Sequence, residues 1–304
     1  MIHYIRHNEI NKTEWDNCIN QSVNRLIYAY SWYLDIVSPG WDALVKGEYE
    51  AVMPLPWKKK WGVKYIYPPF FTQQLGVFFR TNTEMFPSED FVSAIPGAFR
   101  YVQMNLNQFN KPLNKLSIKI KINSNHEIYI GRSYKEISAS FNRNCLRNIK
   151  KAENAGLTVN EIHSADVFVS FIKNNLGDNL TYLKTKSYLT LKNILESVIS
   201  KNCGEMTGVF TEKEELVAVG SFLNTNDRCI FSVCASSALG KKHQAMYLLV
   251  NNQIRKYSTE KKIFDFSGSN MQGIAYFNST FGAIAKNYPA IFINNLPWPL
   301  IYFK

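Results

Sequence analysis

Three strand candidates follow one another directly in "EMTGVFTEKEELVAVGSFLNTNDRCIFSVCAS", Glu205 to Ser236, with only short turns between them. The turns, Thr211–Glu214 and Asn224–Asp227, are rich in hairpin-loop residues. Strands joined by loops this short pair antiparallel, because a parallel connection needs a crossover of a dozen or more residues. A doubly wound parallel sheet is therefore excluded for this part of the chain, and the flanking segments have to fit an antiparallel run.

Helical segments "TEWDNCINQS" and "YSWYLDIVSPG" open the chain. "WDALVKGEYEAVMPLPWKKKWGVKYIYPP" gives β-rich runs with a turn at Lys46–Glu48 and a basic turn at Lys58–Gly62, and "TQQLGVFFR" is a further strand. Ser88 to about Asn107 reads as a helix that Ser88 can cap, with Glu89 and Asp90 favourable to its dipole and Pro96 kinking or breaking it. Leu116, Ile118, Ile120 and Ile122 alternate as a half-buried strand. In the second half, Tyr134, Ile137, Phe141, Cys145, Ile149 and Ala152 form one apolar stripe of a helix from Tyr134 to Ala155, which Gly156 stops. "LTVNEI" is a strand, and helices follow at about Ala165–Leu176 and Thr190–Ser200. After the three strands come a loop and a helix with Met246, Leu249, Val250 and Tyr257 on one face, the strand "KIFDF", the helix "GIAYFNSTFG", the strand "YPAIFI" and a tail "LPWPLIYF". Each half runs helices, antiparallel strands, helix, strand. The expected fold is α+β in two tandem lobes, residues 1–130 and 131–304, each a mostly antiparallel sheet flanked by helices.

Composition narrows the class. The chain has 304 residues, 46% hydrophobic and 14% aromatic, which marks a globular protein. No apolar run approaches the roughly 18 residues of a membrane span. "MIHYIRHNEINKTEW" lacks the apolar region of a secretory signal, so a soluble cytoplasmic protein is expected. The five cysteines form no C-x-x-C, and the five histidines form no H-x-x-x-H, so reduced thiols and no metal site are expected. The formal net charge of +11 fits an anionic partner (nucleic acid, a phosphorylated ligand or lipid headgroups) or simply a basic surface. Oligomeric state is left open.

The order strand "CIFSVCA", loop "SSALGKK", helix "HQAMYLLVNNQIRKY", strand "IFDFSGS", helix "GIAYFNSTFGA" is similar to the second half of a GNAT acyltransferase lobe. Two such lobes in one chain resemble the Fem-type aminoacyl and peptidyl transferases. "FNRNCLRNIKKAENAGL", "SALGKKHQAMYLLVNNQI" and "DFSGSNMQGIAYFNSTFGA" carry the likeness. The resemblance implies an N-acyltransferase in which an amine attacks a carbonyl carried by acyl-CoA or aminoacyl-tRNA. It needs no covalent enzyme intermediate and no tightly bound cofactor. It implies an anionic small-molecule, cell-wall or lipid-precursor acceptor, with tRNA as a further partner.

Four segments are candidates for the site. In "SSALGKKHQAM" a helix opens at a strand end, and the resemblance makes this the donor-phosphate loop, with Gly240, Lys241, Lys242 and His243. Only one glycine is present where the family carries Arg/Gln-x-x-Gly-x-Gly/Ala, which counts against CoA and leaves an RNA acceptor end; the plain alternative is an exposed turn. Gly240→Asp is then expected to abolish donor binding. Arg143, Arg147 and Lys150, flanked by Lys151, lie opposite the apolar stripe of their helix, as an anion clamp at a cleft between lobes or as a solvated face. Asp265 is the acid/base candidate or a structural acceptor, and Ser267, Gly268, Ser269 and Asn270 hold substrate or cap the next helix. Tyr67, Gln73 and Gln74 are placed near the inter-lobe groove or in an aromatic-packed loop. There is no G-x-S-x-G, P-loop or G-x-G-x-x-G motif, which argues against the common hydrolase, P-loop and dinucleotide classes. The reading from another class is a non-catalytic GNAT-like module that binds RNA or an anionic lipid.

Overall fold

The computed structural model of the chain describes residues 1–80, 88–110, 118–175 and 184–298. Leu116, Leu176 and the tail beyond Trp298 lie outside the described residues. In chain order the elements are β1 (Ile2–Ile5), α1 (Lys12–Gln21), α2 (Ser31–Val37), β2 (Asp42–Lys46), β3 (Ala51–Leu55), β4 (Trp57–Lys60), β5 (Val63–Ile66), β6 (Phe78–Phe79), α3 (Glu89–Ser93), β7 (Phe99–Asn105) and β8 (Lys119–Tyr129). They continue with α4 (Tyr134–Ser138), α5 (Arg143–Asn154), β9 (Thr158–Glu161), α6 (Ala165–Asn175), α7 (Thr185–Ser200), β10 (Gly204–Phe210), β11 (Leu216–Asn224) and β12 (Arg228–Ser236). The last are α8 (Ala238–Lys242), α9 (Ala245–Tyr257), β13 (Ile263–Asp265), α10 (Gln272–Thr280) and β14 (Ile284–Asn294). The chain is α+β.

It divides into two compact units, Met1–Ser124 with the segment from Asn287 onward, and Asn125–Lys286. The sequence reading draws a single cut after residue 130; here β8 carries the chain into the second unit and β14 returns it to the first. The first unit holds the sheet β1-β2-β3-β6 and the run β4-β5-β7-β14. Leu44, Met53, Phe79, Phe99, Met104 and Ile291 are among the residues that fill its core. The second unit holds the run β8-β13-β12-β11-β10-β9, in which only β12 and β13 are parallel. Its core takes the α5 stripe, α9, and Phe222, Phe231, Phe264, Phe266 and Phe281.

Two expected helices are corrected. The one from Ser88 shortens to α3, and the stretch after Pro96-Gly97 becomes β7. Proline cannot continue the helix, and Phe99, Val102 and Met104 are buried along a strand instead. The helix from Tyr134 divides into α4 and α5, because Asn142 adopts extended backbone and its side chain accepts the Cys145 N–H at 2.9 Å, starting a new helix. The apolar stripe survives the break: Ile137, Phe141, Cys145, Ile149 and Ala152 are all buried.

Burial pushes the Cys145 and Cys234 thiols up to about 12 from an ordinary 9.0. A group raised in the folded state keeps its proton longer than the unfolded chain does. Its stabilisation is therefore present below pH 9 and lost as pH climbs towards 12. Thermal unfolding followed across that window is expected to show a falling midpoint; a flat profile would contradict the burial of these thiols.

Candidate functional site

β12 and β13 pair only over Arg228–Ile230 and Ile263–Asp265, after which β13 ends and β12 runs on to Ser236. The cause lies on the other edge of β12. The pairing with β11 steps from Phe222↔Phe231 to Gly220↔Cys234, so Ser221 alone faces Ser232 and Val233. The Ser221 hydroxyl accepts the Val233 N–H at 3.1 Å and donates to the Val233 carbonyl at 3.3 Å. A β-bulge of this kind bends and over-twists its strand, and its doubled residues begin two positions beyond Ile230, where the β13 pairing stops. Among the described residues, β12 has a strand on one side only over Phe231–Ser236. An extended chain rich in amides could complete such an edge.

The loop after β13 is fixed by buried side chains. Asp265, 2% exposed, accepts from Arg228 Nη1 at 2.7 Å, from Asn125 Nδ2 at 2.7 Å and from the Ser267 N–H at 2.9 Å. Arg228 Nη1 also meets Glu127 Oε1 at 2.5 Å. Burial works against the charged guanidinium, but Glu127 and Asp265 outweigh it and hold the Arg228 pKa above its ordinary value. Held by Asp265, Ser267 turns to φ 44° and Gly268 to φ +91°, a backbone region where glycine carries no Cβ penalty. At the far side of the loop the buried Asn278 donates to Ser269 Oγ at 3.0 Å.

α8 begins at Ser237, whose side chain accepts the Gly240 N–H at 3.1 Å. Gly240 is buried, and a Cβ there would stand 2.1 Å from the Val217 carbonyl oxygen on β11. His243 ends α8, and Gln244, at φ 63°, separates it from α9. Beside His243 lies an open groove of about 810 Å³, lined also by Leu146, Arg147, Lys150, Lys151 and Asn154 of α5. Glu153 is on another side of the helix, in a depression shared with Arg255. The groove carries the charges of Arg147, Lys150 and Lys151, while most of its wall is apolar, with Leu146, 47% exposed, and Ala155 part of it.

No family model and no curated protein matches the sequence. Solved structures match the fold. FemX aligns over 96% of this chain and 98% of its own, with a TM-score of 0.67 and 13% identity. A tandem GNAT protein from the clavulanic acid biosynthesis pathway aligns over 98% and 99%, with a TM-score of 0.54 and 9% identity. The fold is that of tandem GNAT proteins. The C-terminal domain of a protein from Agrobacterium fabrum, provisionally named a lysylphosphatidylglycerol synthetase, shares it over 93% of each chain, with a TM-score of 0.54 and 10% identity.

Within this tandem GNAT fold, the expected residues separate into groups. His243 shares one groove with Arg147 and Lys150, so the end of α8 and the basic helix meet; Arg143, exposed on the first turn of the same helix, is not in its lining. Lys241 and Lys242 are exposed on α8. At Gly240 the N–H is taken by Ser237 and β11 leaves no room for a Cβ, which accounts for a glycine there without a donor contact. Asp265 has both oxygens engaged and is shut off from solvent, the arrangement expected of its structural alternative. Ser267 and Gly268 are half-buried, Ser269 is buried and Asn270 is exposed, and α10 takes its N-cap from Met271 rather than from Ser269 or Asn270. Tyr67, Gln73 and Gln74 belong to the first unit. There Gln74 is buried and accepts the Gln108 N–H at 3.1 Å, the Gln73 carbonyl accepts from Asn105 at 2.9 Å, and Tyr67 lies under Lys58. Sequence reasoning missed Arg228, Glu127, Asn125, Asn278 and Ser221. Arg228 and Glu127 did leave a signal, each a lone charge at the head of an apolar run, in "RCIFSVCA" and "EIYI".

Proposed function

We propose that this chain is an N-acyltransferase that moves an acyl or aminoacyl group from a phosphate-bearing carrier to an amine. The observation that carries this reading is the splay of β12 from β13, which leaves an unpaired strand edge beside a fixed polar loop. The carrier's extended arm lies along Phe231–Ser236, and its phosphates lie in the groove of Arg147, Lys150, Lys151 and His243. The amine approaches over Ser267–Asn270. Its lone pair attacks the carbonyl carbon, and main-chain N–H groups of the β12 edge stabilise the oxyanion. The carrier then leaves as a thiol or hydroxyl with the proton the amine gives up. Asp265, already committed to Arg228, Asn125 and Ser267, acts here as a positioning residue.

Either carrier class fits a groove so open. One protein of this fold is described by reference to AcCoA, and another is named for a lysyl group on phosphatidylglycerol. The second supports an anionic, lipid-like acceptor, as does the net charge of +11. Titration calorimetry with acetyl-CoA and free CoA at two salt concentrations, and then with aminoacyl-tRNA, tests the reading. One donor is expected to bind saturably. Arg147→Ala/Lys150→Ala should weaken it about ten- to hundredfold, the scale of lost hydrogen bonds to charged groups. If neither donor binds, the transferase reading fails and the non-catalytic module takes its place.

A further inference from the structure

The β4–β5 hairpin of the first unit exposes more charge and more aromatic surface than its fold requires. β4 is an outer strand, and lysine on such a strand guards against edge pairing. Lys58, Lys59 and Lys60 would serve that end. Two features go beyond it. Trp61 stands in the turn at φ 49°, 72% exposed, where it neither guards the edge nor fills the core. Lys59 lies directly across from Lys64, a like-charge pairing that destabilises a hairpin and that an anion would relieve. The lysines rest on aromatic faces: Lys58 Nζ is 4.0 Å from the Tyr67 ring centre, Lys60 Nζ 4.4 Å from Trp61 and Lys64 Nζ 4.4 Å from Trp57.

Topology adds to the same end of the sheet. β5 runs parallel to β7 with Lys64 beside Phe99, and β14 runs antiparallel to β7 with Asn294 beside Tyr101. The Asn295 N–H donates to the Arg100 carbonyl at 2.8 Å. The chain leaving β14 therefore emerges where the hairpin turns, and it carries Trp298, 81% exposed. Trp61 and Trp298 are the two most exposed aromatic side chains among the described residues.

We propose that this end of the first unit docks on an anionic lipid bilayer, with the lysines on headgroup phosphates and the Trp61 ring at headgroup level. Indole is suited to that depth, having an apolar body and one N–H donor. Clustered lysines near an anionic leaflet each add roughly fivefold to binding. Basic and aromatic residues together also bind single-stranded RNA, but that chemistry needs a groove that tracks a backbone, whereas Lys58, Lys59, Lys60 and Trp61 are outside the groove beside the hairpin, which takes only Trp57 and Lys64 from it. The inference does not depend on the transferase reading.

The test is sedimentation of the full chain with vesicles of phosphatidylcholine alone, and of phosphatidylcholine and phosphatidylglycerol in equal parts, at low and high salt. Binding to the anionic vesicles only is expected. Lys58→Ala/Lys59→Ala/Lys60→Ala should lower it on the order of a hundredfold. Trp61→Ala should lower it while leaving the salt dependence unchanged. Lys173→Ala/Lys186→Ala/Lys213→Ala, which removes the same charge from exposed positions of the second unit, should stay close to wild type. Absence of wild-type binding would overturn the proposal. So would equal losses in the two triple variants, which would make net charge the cause. So would a hairpin variant that loses binding to single-stranded RNA but keeps it to vesicles.

Discussion

Arg228→Met is expected to cost about 3–5 kcal/mol of stability, the usual result of removing one partner from a buried ion cluster. The guanidinium is the counter-charge of both Glu127 and Asp265, and all three are buried. Without it two carboxylates face each other across β8 and β13, where Glu127 and Asp265 are paired in register. The thermal midpoint should fall by on the order of ten degrees. Glu127→Gln in the same background should recover part of the loss, because one of the two stranded charges is then gone. A loss below about 1 kcal/mol would mean that water reaches the carboxylates, contrary to their burial. The effect should extend to the loop, since Asp265 also holds the Ser267 N–H.

Gly240→Ala should destabilise the second unit by about 1–3 kcal/mol, the scale of overpacking a filled site. The added methyl meets the Val217 carbonyl oxygen at 2.1 Å, and that oxygen already accepts the Ser237 N–H at 2.9 Å. Backbone on β11 cannot rotate aside as a side chain would, so either α8 lifts or the cap breaks. Gly240→Asp should cost more. Chemical denaturation of both variants checks this. Wild-type stability in Gly240→Ala would restore the glycine as a ligand contact. A Gly240→Asp variant that merely fails to bind donor does not distinguish the two roles.

Much of the fold was legible because its signals are local. The turns at Thr211–Glu214 and Asn224–Asp227 fixed the antiparallel run, and the apolar stripe of α4 and α5 fixed their buried face even where the helix itself broke. β7 was misread because Ser88, Glu89 and Asp90 looked like the start of a long helix, whereas Ser88 has helical backbone and no side-chain cap bond there, and the helix stops before Pro96. The site was less legible. The bulge depends on one residue of β11 facing two of β12, and nothing in either strand marks that count. Asp265, Arg228, Glu127 and Asn125 come from three segments that only the sheet brings together. Gly240 has the residue type of a phosphate loop, and only the distance to Val217 shows why it is glycine.

The bulge on β12 also settles what sort of opening this is. A gap kept apart by bulky side chains would close when those side chains are trimmed, and a gap opened by a ligand would need that ligand. Here the divergence comes from arithmetic in the main chain, one surplus residue between Phe231 and Cys234, held by a serine hydroxyl. Phe231 and Ala235 are tied into the core of the second unit, so the side chains that can vary without closing the gap are those of the half-buried Ser232, Val233 and Ser236. What lines the edge and what opens it are set separately, the first by the letters of this strand and the second by its length.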